Sequence, residues 1–270
     1  MAASVDSDFL PRRIAAARKA VMAQTTLMHR EFGRAASEWK SDGTRVTAVD
    51  HAISRGIIGE LQSEFPEDQV FSEELAEGEG PWPVEARFSW VLDPVDGTNN
   101  YATGLANCAI SLALLEHGTP VYGVIYDFAR RTLIHGGPGF GVWDGEREAR
   151  VRSEPPNAQT LVAFHSPMES TRYPGHADAI VSHFKLRALG SSTLHFAYVA
   201  AGILDGAVDH NVKIWDIAAA LPLIEAAGGE VRFVHAPPVP LRQFDLRMPR
   251  IFLIAGNAEV CARLREVLGL

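Results

Sequence analysis

The segment Trp90-Val91-Leu92-Asp93-Pro94-Val95-Asp96-Gly97-Thr98-Asn99-Asn100 constrains the fold more tightly than any other part of the chain. An apolar strand runs into Asp93, Pro94 fixes the exit, and Gly97 permits a tight approach before a helix start at Thr98. Two carboxylates three residues apart are therefore expected at the C-terminal edge of a strand, beside the free N–H groups of a helix N-terminus. Hard divalent cations take oxygen ligands, and magnesium uses a few carboxylates together with water and substrate phosphate. The N–H groups of Gly97 and Thr98 would meet phosphate oxygens directly. Read by itself, a lone D-x-x-D is more often an Asx-turn followed by an N-cap, and it is the whole D-P-V-D-G-T string that changes this.

Around this segment the pattern is α+β at first. After Pro11, the residues Ile14, Ala17, Val21, Met28 and Phe32 recur at helical spacing, which predicts an amphipathic helix to about Gly33. Residues 39–45 read as a turn. A second helix is expected from near Thr47, with Ile53, Ile57 and Leu61 on one face, ending before Phe65-Pro66. A short strand at 70–72 leads to Glu73-Glu74, and residues 75–86, rich in Gly, Pro and Glu, read as an exposed loop. Strands are expected at 88–92, 109–116 and 121–128, followed by a glycine-rich hairpin in GGPGFGVWDGE. From Leu161 apolar strands alternate with helices, notably 191–201 and 217–227, the latter closed by Gly228-Gly229, so the second half reads as α/β. The boundary between the halves, 1–150 and 151–270, falls at a stretch containing Pro155-Pro156.

Composition narrows the function. A net charge of -8 argues against a nucleic-acid binder working through a basic face, although cations can still bring phosphate to an acidic protein. No GxGxxG follows a strand and no P-loop glycine-lysine motif occurs, which removes most support for dinucleotide or ATP chemistry. The N-terminus carries acids where a signal peptide would be basic, and no 18-residue apolar run exists, so neither secretion nor membrane insertion is expected. Two distant cysteines, Cys108 and Cys261, form no metal pair or disulfide framework, and a cytoplasmic setting is expected.

DPVDGTNN resembles the signature D-P-(I/V/L)-D-G-T-x-N of inositol monophosphatase-like enzymes, and WDIAAALPLIEAAGG resembles their second signature. FSEE at 71–74 and VTAVD at 46–50 are similar to two weaker family segments, in family order, with Ser72 where glycine is common. The resemblance covers roughly residues 40–260 and implies a layered αβαβα sandwich, a homodimer, and a magnesium-dependent phosphomonoesterase. It implies that Glu73, Asp93 and the Val95 carbonyl hold one Mg²⁺, that Asp93, Asp96 and Asp216 hold a second, and that a third, weaker ion lies near Glu73. Thr98 and Asp50 are implied to help Glu73 orient and deprotonate a water that attacks phosphorus directly and in line, without a phosphoenzyme. Two cations bridged by one carboxylate suit such chemistry, since they hold phosphate, acidify water and neutralise the leaving alkoxide.

Local readings stand beside these roles. Asp50 is also a capping-box carboxylate three residues after Thr47, Glu73-Glu74 a solvated acidic pair, and Asp216 the N-cap of the helix that Gly228-Gly229 closes. Lys40 falls close to where family members place a lysine near the metal site, and it is equally a solvated loop lysine. His51, His135, His165, His195 and His210 lack HxxxH or HExxH spacing, so surface or packing roles are expected in place of a zinc site. Ser72, Ser166, Ser191 and Ser192 lack the nucleophile elbow of a serine hydrolase.

For the substrate, Asp96, Gly97, Thr98, Gly190, Ser191, Ser192 and Asp209 are the contacts that the resemblance implies. Asp209, seven residues before Asp216, falls where inositol-directed members carry an acid that accepts hydrogen bonds from hydroxyls. Inositol monophosphate or a similar polyol phosphate is therefore the first expectation. Histidinol phosphate, or another sugar or nucleotide phosphate handled by the same superfamily, is the second, because a shared core does not choose among esters. Lys213 and His210 would alternatively favour a second anionic group. A non-catalytic, metal-binding scaffold relative would most simply have lost a carboxylate, and Glu73, Asp93, Asp96 and Asp216 are all present.

Overall fold

The computed structural model describes residues 9–40, 43–74 and 80–270. The first eight residues of the N-terminus read above, the tip of the 39–45 turn and positions 75–79 of the acidic loop lie outside this range. Helix α1 (Phe9–Glu31) leads through a hairpin, β1 (Ser37–Trp39) and β2 (Arg45–Thr47), into α2 (Ala48–Glu64). Then come β3 (Gln69–Ser72), β4 (Trp82–Pro83), β5 (Phe88–Asp96), the short α3 (Thr98–Thr103), and the strands β6 (Ala109–Glu116), β7 (Thr119–Asp127), β8 (Thr132–Gly137), β9 (Gly141–Asp144) and β10 (Arg147–Glu148). The second half contributes β11 (Leu161–Phe164), α4 (His176–His183), β12 (Lys185–Arg187), α5 (Ser192–Ala200), β13 (Gly206–Val212), α6 (Ile214–Ile217) and α7 (Ala220–Ala226). It ends with β14 (Glu230–Phe233), β15 (Gln243–Phe244), β16 (Ile251–Gly256) and α8 (Ala258–Leu268).

Apolar faces dictate the layering. α1 and α2 bury Ala17, Val21, Met28, Ile53, Ile57 and Leu61 against Trp90, Leu92 and Leu112 on one face of a seven-stranded sheet, ordered β10-β9-β8-β7-β6-β5-β3. That sheet is antiparallel except where β3 pairs parallel with β5. α5, α6 and α7 pack between its other face and a five-stranded mixed sheet, ordered β12-β11-β13-β16-β14. α4 and α8 close the far side over Val162, Val208 and Phe252. α5 is buried at every position, and its polar side chains Ser192, Thr193, His195 and Tyr198 are each hydrogen-bonded. The result is the expected αβαβα sandwich. The strands of the large sheet all precede residue 150, and those of the small sheet all follow it. Across that line β4 pairs with β15, and Phe71 stacks on Phe244 at 5.2 Å, so the central core draws on both halves.

Four local expectations need correction. The 39–45 turn is the loop of a hairpin, because the segments on either side pair as β1 and β2. Within the stretch read as a loop, Trp82–Pro83 finds strand partners 160 residues away, which no local pattern announces. β5 does not stop at Asp93 but continues to Asp96 through an irregularity in its pairing with β6. The helix expected at 217–227 is split into α6 and α7, and α6 starts earlier, so Asp216 lies inside its first turn, with Lys213 as N-cap.

One buried ion pair docks the first layer. Asp68, in the connection from α2 to β3, receives Arg13 of α1 through Nε at 2.8 Å and Nη2 at 2.6 Å, and Trp90 of β5 through its indole N–H at 2.9 Å. Removing the carboxylate leaves a buried guanidinium unpaired. Asp68→Ala is expected to lower unfolding free energy by about 3–5 kcal/mol in urea denaturation. A change within experimental scatter would mean that α1 docks through apolar packing alone.

Candidate active site

Asp93 and Asp96 show how β5 builds the site. Along a regular strand, residues three apart point to opposite faces. Phe88, Trp90 and Leu92 face the α1/α2 layer and Val91 faces the central layer, as alternation requires. The shift in register between Asp93 and Asp96 breaks that alternation: Val95 joins the α1/α2 core, while both aspartates reach the central layer. There their carboxylates meet Asp216 of α6, with one oxygen from each of the three within 4.8 Å of the others. Gly97 follows with φ of 82°, and a Cβ on it would stand 2.8 Å from the Asn107 carbonyl. Only glycine combines that backbone with that approach.

Helix α5 supplies the donors that hold the cluster. Ser191, its N-cap, hydrogen-bonds Asp96 Oδ2 through its hydroxyl. The Thr193 N–H reaches the same oxygen at 2.9 Å, and the Thr193 hydroxyl donates to the Asp216 carbonyl at 2.8 Å. Gly190 sits just before this turn with φ of 76°, against Asn100 of α3, whose amide donates to the Leu189 and Asn107 carbonyls. Asp216 Oδ2 itself accepts the Lys213 N–H at 2.6 Å, and Asp93 Oδ1 accepts the Val95 N–H at 3.0 Å. The Asx-type turn and the metal-type cluster are thus features of the same residues.

On the α2 side, Asp50 caps its own helix through the Thr47 N–H at 2.9 Å and the Thr47 hydroxyl. Its other oxygen lies 3.1 Å from the Thr98 hydroxyl, which is also 2.8 Å from the Val95 carbonyl. The capping carboxylate therefore also reaches Thr98. Glu73 and Glu74 share the Lys40 ammonium, at 2.9 and 2.6 Å, so Lys40 is not a free loop lysine. Ser72 accepts the Ser54 hydroxyl at 2.9 Å and the Glu74 N–H at 3.3 Å, shaping the acidic turn.

Burial of so many carboxylates has an electrostatic consequence. Burial, then Glu73 and the neighbouring aspartates, push Asp93 well above the usual carboxylate range, and burial with Asp96 and Glu73 does the same to Asp216. Burial raises Asp96 to about 6 against the opposing hydrogen bonds from Ser191 and Thr193, and it raises Asp50 to about 6. Glu74 is pushed up to about 7 by burial and by Glu73, with Lys40 opposing. Burial would lower Lys40, but Glu73 and Glu74 outweigh it and hold the ammonium charged. Such a set is short of positive charge. Its donors are all oxygens, which fits a hard divalent cation and not a thiolate- or imidazole-seeking one.

Asp209 lies in β13 and is fully buried, at 0% exposure. Its carboxylate takes the Ser192 hydroxyl at 2.7 Å and the Asn211 N–H at 2.9 Å, and His165 Nδ1 stands 3.7 Å away. The structure thus gathers His165, His195 and Asp209 beside the carboxylate site, a grouping that sequence spacing gave no hint of, because the three come from separate elements. His135 and His210 are packing residues, His135 against Tyr122 and His210 stacked on Phe252 at 4.0 Å, while His51 stays exposed near Glu74. Among the described residues no helix is long and apolar enough to cross a membrane.

The model of the inositol monophosphatase family matches residues 7–267. Over 227 residues the chain is 34% identical to a Nus factor SuhB of Xylella fastidiosa, covering 82% of this chain and 80% of that one. It is 34% identical over 234 residues to a probable inositol 1-monophosphatase ImpA of Mycobacterium tuberculosis, covering 83% and 81%. The structure of the extragenic suppressor protein suhB from Bartonella henselae superposes with a TM-score of 0.80 at 27% identity, covering 97% of this chain and 98% of that one. With the oxygen-only donor set, these matches make the chain a phosphoric monoester hydrolase. It belongs to the inositol monophosphatase family.

The raised carboxylates give a pH dependence with a definite sign. Asp50 and Asp96 titrate near 6 in the fold and near 4 in an unfolded chain, so the fold binds more protons between these values. Stability of the cation-free protein from these groups therefore falls as pH rises through about 4 to 6 and stays low above. A cation that binds the ionised cluster offsets this. The rise in Tm on adding Mg²⁺ is expected to be larger by several degrees at about pH 7.5 than at about pH 5. Equal increments in thermal melts at the two values would mean that the cation binds elsewhere.

Proposed function

We propose that the chain hydrolyses the monoester of a polyol phosphate, with inositol monophosphate or a close analogue first, using Mg²⁺ held by Asp93, Asp96 and Asp216. The observation that carries this reading is the convergence of those three carboxylates next to the Thr98–Asp50 pair. Glu73, Asp93 and the Val95 carbonyl would hold one ion, Asp93, Asp96 and Asp216 a second, and a third would lie near Glu73. Bound there, the cations hold the phosphate and offset charge developing on the leaving oxygen. Relatives with inositol monophosphatase names support the polyol, whereas the SuhB names point to no ester.

The chain's own groups do the rest. The Thr98 hydroxyl has one proton and two acceptors, Asp50 and the Val95 carbonyl. Donated to Asp50, that proton leaves the Thr98 oxygen lone pairs to accept from the attacking water. We assign acceptance of that water's proton to Glu73, which Lys40 holds in place. Gly97 and Thr98 present backbone N–H groups to the phosphate, and Gly190, Ser191 and Ser192 line the alcohol side. The two cysteines serve neither role: both are buried, and burial pushes the Cys108 thiol up and Cys261 up to about 12. Attack is therefore assigned to water and not to a side chain.

Phosphate release from inositol monophosphate, histidinol phosphate and p-nitrophenyl phosphate, with Mg²⁺ and with EDTA, tests the reading. Turnover is expected only with Mg²⁺ and fastest on the inositol ester; faster turnover of histidinol phosphate would replace the polyol and keep the phosphatase. Asp93→Asn is expected to lower kcat/KM by about 10³-fold or more, because an amide cannot bridge two cations. Turnover within a few-fold of wild type at saturating Mg²⁺ would remove the bridge. Thr98→Ala is expected to lower kcat by about 10²-fold with KM nearly unchanged, since the hydroxyl orients water and does not hold substrate. A raised KM at unchanged kcat would make Thr98 a substrate contact instead.

A further inference from the structure

We propose that His165 reads the alcohol half of the substrate, its Nε2 accepting a hydrogen bond from a ring hydroxyl, and that Asp209 acts on the substrate only through His165. The inference rests on the polyol reading above and specifies its recognition group.

The argument begins with proton positions. Asp209 is enclosed, and its two oxygens already accept the Asn211 N–H and the Ser192 hydroxyl. An ionised carboxylate accepts only, so the single Ser192 proton points at Asp209. His165 Nδ1 lies 3.1 Å from Ser192 Oγ and 3.7 Å from Asp209. With the Ser192 proton committed, Nδ1 must be the donor, and the neutral ring then carries its free lone pair on Nε2. His165 follows β11, and 28% of its side chain is exposed, whereas Asp209 offers 1%. The ring, and not the carboxylate, is the part a substrate can touch.

Position agrees with this. Ser192, which orients the ring, stands between Ser191 and Thr193, and these hold Asp96 and the Asp216 carbonyl. One turn of α5 therefore sets the distance between the carboxylates proposed to hold the cations and the imidazole. A cation shared by His165, His195 and Asp209 is the rival use of the same atoms, since their ligand atoms lie within 4.8 Å of one another. His195 does not fit it. Its Nε2 accepts the Leu189 N–H at 3.0 Å, which puts the ring proton on Nδ1 and leaves no lone pair for a metal. A neutral hydroxyl donor suits the site better than a cation.

The test compares inositol monophosphate with cyclohexyl phosphate, which keeps the ring and lacks the hydroxyls. Wild type is expected to favour the inositol ester in kcat/KM. His165→Ala should reduce that preference about tenfold, the size of one lost hydrogen bond, and His165→Gln, which can present an acceptor near Nε2, should recover part of it. Asp209→Asn should erode the same preference, and the double variant with His165→Ala should lose no more than His165→Ala alone. An equal fall on both esters, an unchanged preference, or additive losses in the double variant would each overturn the proposal. Turnover of cyclohexyl phosphate without turnover of the inositol ester would overturn the polyol reading as well, and Mg²⁺-dependent release from neither ester would overturn both.

Discussion

Mutual repulsion among buried carboxylates is the constraint that the rest of this structure accommodates. Burial raises the proton affinity of Asp50, Asp93, Asp96 and Asp216, and the charges of Glu73 and of neighbouring carboxylates add to it. A fold that brings them together must offer donors at fixed points. It does so with the Ser191 hydroxyl and Thr193 N–H on Asp96, the Lys213 N–H on Asp216, Thr47 on Asp50 and Lys40 on Glu73. These contacts hold the charges in register without neutralising them. The remaining deficit suits the cluster to the divalent cations proposed above.

The layering explains why the donors arrive where they do. α5 is sandwiched between two sheets and has no freedom to slide, because both of its neighbours are packed cores. Its first turn touches Asp96 at the end of β5 in the large sheet, Asp209 of the small sheet and the backbone of Asp216. Chemistry that needs phosphate and alcohol held at a fixed separation is thereby referred to one rigid element joining the two halves. The acidic turn at Glu73 and the β1–β2 hairpin carrying Lys40 approach from the opposite side, on short elements with fewer buried contacts.

Much of the site was legible because its residues are adjacent along the chain or obey local rules. D-P-V-D-G-T announces a strand exit, a tight glycine and two carboxylates, and the glycine is needed for the backbone the structure adopts. The helices were legible from spacing, since Ala17, Val21, Ile53, Ile57 and Leu61 are all core residues. The local readings hold as well: Asp50 does close a capping box, and Asp93 does hold the N–H two residues on. The β4–β15 pair and the His165–Ser192–Asp209 relay were not legible, because each joins residues whose neighbours in sequence carry no trace of the partner.

By itself the sequence determined which groups are available: an oxygen-rich set without clustered thiols or imidazoles, a strand that must turn at Gly97, and apolar periods that commit α1 and α2 to one face of a sheet. Tertiary structure alone decided which of those groups face one another. Residues three apart on a strand belong on opposite faces, and only the irregular pairing of β5 with β6 turns Asp93 and Asp96 to the same side. Likewise Asp209 has the chemistry of a hydroxyl acceptor in any sequence reading, yet its neighbours in space enclose the carboxylate and leave His165 partly exposed. Side-chain identity is local information, whereas exposure and hydrogen-bond saturation depend on segments that meet only when the layers close.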